Sequence, residues 1–250
     1  MIAGPNGAGK TTMTLQLIRD CSMLYEFINA DEIARGLAPK HPESMALTAS
    51  KLMINRLKAL LEAEKSFAFE TTASGTNYVK HLKSAQAKGY EIDLTFLWLS
   101  RPEEAVKRVA QRVKQGGHHV VEGTIIKRYF LGIKNIFNHY LPLVDNALIM
   151  DNSSEHSEER VIARKNKGNS LDIVDREIWK KLLMSHDLTK YILEAHKKSF
   201  EIAFETAVRT GTALVYSRNG KIVEIKPPYR YELVPIEPAK EKRAAKRPKK

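Results

Sequence analysis

Cysteine is almost absent. Cys21 is the single one in 250 residues, which excludes an intrachain disulfide and any cysteine-based metal cluster. Standing alone, it reads as a small hydrophobe of the interior. Long apolar runs are also missing, since no stretch approaches the ~18 residues that a membrane-spanning helix needs. No leader with a charged, then apolar, then small-residue pattern precedes the first motif. These absences lead to the expectation of a cytoplasmic protein with no membrane partner. The His118-His119 pair has no third ligand at metal spacing, so it reads as loop.

Neutrality is lacking as well: the formal net charge is +12. Its location matters more than its size. The last eleven residues hold seven Lys or Arg against Glu241, a net +6. Half of the excess therefore sits in a tail without apolar period, and residues 239–250 are expected to be disordered. No nucleic-acid reader motif accompanies the charge, which makes nucleic acid an unlikely partner.

The stretch around which the chain is organised is Gly4-Pro5-Asn6-Gly7-Ala8-Gly9-Lys10-Thr11, followed by Thr12. It satisfies G-x-x-x-x-G-K-[ST] at each fixed position and stands where a strand hands over to a helix. Glycines let successive backbone N–H groups curl around an anion, and the helix that follows points its positive end at the same place. In that geometry Lys10 reaches the β- and γ-phosphates of a nucleotide and the Thr11 hydroxyl takes a Mg²⁺ position. Met13, Leu17 and Ile18 share one face, as the helix requires. Upstream stand only Met1, Ile2 and Ala3. The first strand is thus expected to be short, and nucleotide affinity weaker than the motif promises.

Residues 24–28 read as a strand that ends at Asn29-Ala30-Asp31. In open α/β sheets ligands bind beyond the carboxyl ends of strands, which places Asp31 beside the phosphate loop. The plainer role for Asp31 is capping a short helix over residues 32–35. Residues 42–65 carry Met45, Ala49, Leu52, Met53, Leu57, Leu60 and Leu61 at helical spacing and read as one long amphipathic helix. A strand over 67–69 then ends in Glu70-Thr71-Thr72, a carboxylate and hydroxyls suited either to a polar substrate or to turn and cap chemistry.

A helix over 78–88 closes at Gly89, and residues 92–99 form an apolar strand that belongs in the middle of a sheet. Two further helices, from residue 102 and over 122–141, flank the Gly116-Gly117 hinge. The first carries Arg108 and Arg112 four apart with Lys107 beside them; the second carries Lys127 and Arg128. Basic helices around a hinge suit a lid that closes over phosphates and excludes water. Residues 144–150 give a last parallel strand with the polar exit Asp151-Asn152-Ser153, and 161–164 and 173–183 an edge strand and a helix. Alternating strands and helices of this kind predict an α/β fold built on a parallel sheet. After residue 187 the pattern changes to one long helix over 188–209 and a hairpin over 213–225 around Asn219-Gly220.

In their order and spacing, GPNGAGKTT, NADEIARGLAP, FAFETTASG, RVAQRVKQGGHHV with IIKRYFLGIKN, and LIMDNS resemble the zeta toxin family of small-molecule kinases. The resemblance covers residues 1–187. It implies a P-loop kinase-like three-layer α/β/α fold, with ATP and Mg²⁺ as cofactors and transfer of the γ-phosphoryl group to a sugar hydroxyl of UDP-N-acetylglucosamine. It also implies a toxin whose antitoxin partner blocks the nucleotide site. Carried over by position, Gly4, Asn6, Gly7, Ala8, Gly9, Lys10, Thr11 and Thr12 bind the nucleotide, and Thr11 serves the metal. Asp31 accepts the hydroxyl proton, Glu70 and Thr71 meet the acceptor, and Arg112 and Arg128 touch the transferring group.

Residues 188–238 look similar to small proteins encoded beside zeta-like kinases, which suggests a partner fused in cis that restrains the kinase. Two other readings stay open. One is a different metabolite kinase on the same fold; the other is an inactive nucleotide-binding module that acts through its C-terminal segment.

Overall fold

A computed structural model describes residues 1–20, 26–117, 119–153, 160–185, 188–218 and 221–225. Cys21, Leu24, Tyr25, His118, the Asn219-Gly220 turn and the tail over 239–250 lie outside the described residues. By contact, the chain divides into two compact units, Met1–Leu188 and Thr189–Lys250.

The first unit is a mixed α/β layer structure around a seven-stranded sheet. Its strands are β1 (Ile2–Ala3), β2 (Glu26–Ile28), β3 (Phe67–Thr71), β4 (Asp93–Trp98), β5 (Asn146–Asp151), β6 (Arg160–Lys165) and β7 (Asp172–Ile173). They lie in the order β2-β3-β1-β4-β5-β6-β7, parallel from β2 to β5 and antiparallel beyond. Antiparallel β6 and β7 close the far edge, so residues 161–164 form an inner strand where an edge strand was expected. β4 is the middle strand, as its run of apolar residues requires: Leu94, Phe96, Leu97 and Trp98 are buried. β1 has two residues, yet both are buried and both pair with β3 and with β4.

The helices are α1 (Lys10–Asp20), α2 (Ala30–Leu37), α3 (Ala46–Glu62), α4 (Val79–Ala87), α5 (Pro102–Lys114), α6 (Glu122–Asn135) and α7 (Arg176–Met184). Residues 42–65 are not one helix. A 3-10 turn over Pro42–Met45 leads into α3, because proline fits a first turn but supplies no N–H to a helix behind it. On α3 the residues Ala49, Met53, Leu57, Leu60 and Leu61 are buried, whereas Leu52 is 42% exposed. Leu52 thus falls outside the stripe that its spacing suggested. α6 runs on through a π-helical turn, Ile136–Tyr140, and the helix expected over 173–183 starts three residues later because Ile173 pairs in β7.

The sheet order puts the loop after β1 at a switch point, since β1 hydrogen-bonds β3 on one side and β4 on the other. The carboxyl ends of β1, β3, β4 and β5 open toward a common region, the usual ligand position in an open α/β sheet.

The second unit contains α8 (Leu188–Thr210) and an antiparallel hairpin of β8 (Leu214–Arg218) and β9 (Lys221–Ile225). Gly211, at φ +64°, ends α8. Leu214 is buried, while Val215 and Ile222 on the other face of the hairpin are exposed. Among the described residues no helix is long and apolar enough to cross a membrane.

Candidate functional site

The phosphate loop is held by its neighbours before any side chain of the cleft is considered. The Gly4 N–H donates to Thr71 O (3.2 Å), and the Ala8 N–H to Pro5 O (3.2 Å). Gly7 and Gly9 have φ of +76° and +85°, which an L side chain adopts only with strain. Lys10, the first residue of α1, donates from Nζ to Gly4 O (3.0 Å) and Pro5 O (2.9 Å). Asn6 is buried, and its Oδ1 has no hydrogen-bond partner among the described residues.

β3 brings Glu70 against α1. Its carboxylate, in a side chain only 8% exposed, accepts from the hydroxyls of Thr11 (3.2 Å) and Thr14 (3.0 Å) and from Asn29 Nδ2 (2.9 Å). Burial raises the Glu70 pKa, opposed by the charge of Lys10 and the threonine hydroxyls. Burial also lowers that of Lys10 to about 8, although Glu70 and Asp31 favour its charged form. The charges of Arg112 and Arg128 lower it further. Carboxylates and guanidinium groups from four elements thus act on one ammonium group.

Asn29 uses both ends of its amide. Besides donating to Glu70, its Oδ1 accepts from the N–H groups of Asp31 (2.8 Å) and Glu32 (3.4 Å), with Asn29 itself extended at φ −134° and ψ 120°. The cap of α2 is therefore Asn29, not Asp31 as in the plainer of its two readings, and Asp31 sits exposed in the first turn of the helix. The sequence held the signal, because Asn immediately before Ala-Asp-Glu is a strong N-cap.

A cleft of about 760 Å³ opens here, within the range of small-molecule sites. From the loop and α1 it is lined by Asn6, Gly7, Gly9, Lys10, Thr11 and Thr12. Asp31 joins from α2, Glu70 and Thr71 from β3, Arg108 and Arg112 from α5, and Lys127 and Arg128 from α6. Gly4 and Ala8 are buried behind this lining and shape the loop from outside the cleft. Every other residue assigned above to nucleotide, metal, acceptor or the transferring group reaches one cavity, though these residues are spread over more than 120 positions, whereas Lys107 does not line it.

The rest of the wall is mixed: Glu43, Ser50, Thr72, Ser74, Asn77 and Tyr78 bring polar groups to it, and Ala34, Pro42, Ala46 and Leu131 apolar ones. α6 fixes that wall. Asn135 Nδ2 donates to Ala73 O (2.9 Å), Tyr140 OH to Gly75 O (2.5 Å), and a Cβ on Gly132 would lie 2.5 Å from Thr72 O. Ala73 is buried at φ +52°, a conformation that persists only where its surroundings enforce it. The C-terminal half of α6 is thereby packed onto the wall, whereas the connection through Gly116 and Gly117 stays at the surface.

Sequence reading passed over Thr14, Asn29, Asn135 and Asn152 as site residues. Asn152 Nδ2 donates to Ala8 O (2.9 Å). Only the fold brings it there, 144 residues along the chain. Among the described residues no group of three His, Cys, Asp or Glu could hold a metal ion. A hydroxyl beside one carboxylate, as in Thr11 and Glu70, nevertheless fits Mg²⁺, which takes one or two protein ligands and fills its shell with phosphate and water.

Residues 1–128 match the family described as AAA domain. An uncharacterized protein of Haemophilus influenzae is 29% identical over 126 residues, 50% of this chain and 88% of that protein. In structure, the chain is similar to the AvrRxo1-ORF1:AvrRxo1-ORF2 complex. In its native form the TM-score is 0.58 at 15% identity, over 75% of this chain and 64% of that one. In its complex with ATP the TM-score is 0.53 at 15% identity, over 72% and 62%. This chain therefore spans less than two thirds of that relative. The PezAT chromosomal toxin-antitoxin system of Streptococcus pneumoniae matches with a TM-score of 0.50 at 16% identity, over 77% of this chain and 86% of that one.

Proposed function

The chain belongs to the AAA domain family, and from that premise we propose that it is an ATP-dependent phosphotransferase acting on a hydroxyl of a small polar acceptor. The observation that carries this reading is the meeting of Lys10, Asp31, Arg112 and Arg128 in one cleft at the mouth of a phosphate loop. Nucleotide phosphates fit the loop, whose glycines leave room for close approach and whose following helix presents its positive end. Thr11 and Glu70 would hold Mg²⁺, which would supply positive charge to neutralise the nucleotide phosphates. The three bonds that Glu70 receives from Thr11, Thr14 and Asn29 favour this duty over contact with the acceptor. Thr71 keeps a place on the acceptor side.

In the reaction the acceptor oxygen bonds to the γ-phosphorus while the bond from that phosphorus to the β,γ-bridging oxygen breaks. ADP leaves, and the hydroxyl proton passes to Asp31. Lys10 and the N–H groups of the loop hold the phosphates, and Arg112 and Arg128 offset the charge that spreads over the transferring oxygens. Such catalysis is mostly positioning and electrostatics.

The polar groups of Thr72, Ser74, Asn77 and Tyr78 suit a sugar, and the family resemblance makes UDP-N-acetylglucosamine the acceptor of choice. A toxin role with an antitoxin partner is part of the same proposal, supported by the likeness to the PezAT system. Measuring ATP consumption with Mg²⁺ against a panel of acceptors led by UDP-N-acetylglucosamine tests it. Acceptor-dependent turnover that falls by about 10²–10⁴-fold in Asp31→Asn is expected. An Asp31→Asn variant with wild-type turnover refutes the role of Asp31, and ATP binding without turnover on any acceptor refutes the enzyme.

A further inference from the structure

We propose that Asn152 is a positioning residue that, braced by Arg108, holds the phosphate loop in its anion-binding shape from outside the cleft. The proposal rests on the reading of that loop as a nucleotide site.

Asn152 follows β5 and is fixed at both ends. Its N–H donates to Trp98 O (2.9 Å) at the end of β4, and its side-chain Nδ2 donates to Ala8 O (2.9 Å). A trans peptide is planar, with its C=O and N–H pointing in opposite directions. Holding the Ala8 carbonyl outward therefore turns the Gly9 N–H inward, toward the hollow that a phosphate would fill. The contact is close: a Cβ on Gly9 would lie 2.6 Å from Asn152 Nδ2. Gly9 is thus required twice, by its φ of +85° and by the amide packed against it.

Arg108 braces the same arrangement. From α5 it donates through Nη2 to Asn152 O (2.7 Å) and through Nη1 to Gly7 O (3.3 Å). Glu104, one turn earlier, holds the guanidinium by an ion pair (2.8 Å). Two carbonyls of the loop, those of Gly7 and Ala8, therefore accept from side chains distant in sequence. Without Asn152 the Ala8–Gly9 peptide is free to turn its oxygen toward the phosphate, where the two repel, while the Gly7–Ala8 peptide keeps the bond from the Ala8 N–H to Pro5 O. Asn152 does not line the cleft, so its effect is exerted through the loop.

The test uses the full chain with Asn152→Ala and Asn152→Asp. Alanine removes the donor without adding charge; aspartate keeps the volume and sets oxygen against Ala8 O. Three quantities are read for each: the Kd for ADP by direct titration, the KM for ATP and for the acceptor separately, and the thermal midpoint without nucleotide. For both variants we expect the Kd for ADP and the KM for ATP to rise at least tenfold. The acceptor KM should stay within about twofold and the nucleotide-free midpoint near that of the wild type. Arg108→Lys, which loses the second donor, should raise the Kd by a smaller factor. ADP affinity within twofold of wild type in Asn152→Ala overturns the proposal. So does a fall in the nucleotide-free midpoint large enough to account for the lost binding, which marks a merely structural role. Failure of the wild-type chain itself to bind ADP overturns the nucleotide reading, and this proposal with it.

Discussion

At the scale of single residues, the site is governed by what burial does to charge. Lys10 sits among loop carbonyls, and burial lowers its pKa to about 8 despite two nearby carboxylates. Its charge is therefore partly lost over an accessible pH range, and nucleotide phosphates need that charge. Affinity for ADP is expected to fall as pH rises through 8, by at most tenfold per unit, and titrations between pH 7 and 9 read it directly. Constant affinity across that range removes Lys10 from phosphate binding. The stability effect has the opposite sign. Between about 8 and 10.5 the unfolded chain binds more protons at this lysine than the folded one, so Lys10 makes stability rise with pH there. Glu70, raised by burial, acts in the acid range: its contribution to stability is present below its unfolded pKa and is lost as pH rises through its folded one.

At the scale of elements, amides join pieces that the sequence keeps apart. Asn29 caps α2 and bonds Glu70 of β3, which in turn holds Thr11 and Thr14 of α1. Asn29→Ala removes the cap and one donor to a buried carboxylate, and should cost about 1–3 kcal/mol. Because α2 carries Asp31, turnover should fall as well; chemical denaturation alongside kinetics separates the two effects. Wild-type stability in that variant means the cap is dispensable. Gly132 does the corresponding work for α6. A Cβ there meets Thr72 O at 2.5 Å, so Gly132→Ala should cost about 1–3 kcal/mol by overpacking. By shifting the wall over residues 72–75, it should raise the KM of the acceptor more than that of ATP. An unchanged ratio of the two KM values shows that this wall does not meet the acceptor.

At the scale of the molecule, the whole cleft and the whole seven-stranded sheet lie within Met1–Leu188. A chain ending after Leu188 is therefore expected to fold and to bind ADP with the affinity of the full protein or better. If the second unit, with α8 and its hairpin, restrains the first in cis, as the resemblance of residues 188–238 suggests, the shortened chain turns over faster. Turnover equal to or below that of the full chain excludes such restraint.

Much of the fold was legible because its signals are local. The glycines and lysine of residues 4–11, the apolar run of β4 and the helical stripe of α3 each carry their meaning within a dozen positions. That Lys10, Asp31 and Glu70 share a region followed from a general property of parallel sheets, whose strand ends face one side, whereas Arg112 and Arg128 were placed there by the basic helices around the hinge and by the family resemblance. What stayed hidden depends on partners far along the chain. Ile173 is read as helix until β6 offers it a strand to pair with, and Leu52 as core until the packing of α3 leaves it outside. Asn135 and Asn152 carry no signal in sequence, because an amide gains such a role only from the carbonyl that folding sets opposite it, and Asn29 shows its cap locally but not its bond to Glu70. The sequence by itself determined the chemistry available, a phosphate loop with acids and arginines. Only the tertiary structure decided which of those groups face the cleft and which hold the loop from behind. A hydrogen bond acts over about 3 Å, and the distance between Asn152 and Ala8 is set by the pairing of β5, β4 and β1, not by the 144 residues between them.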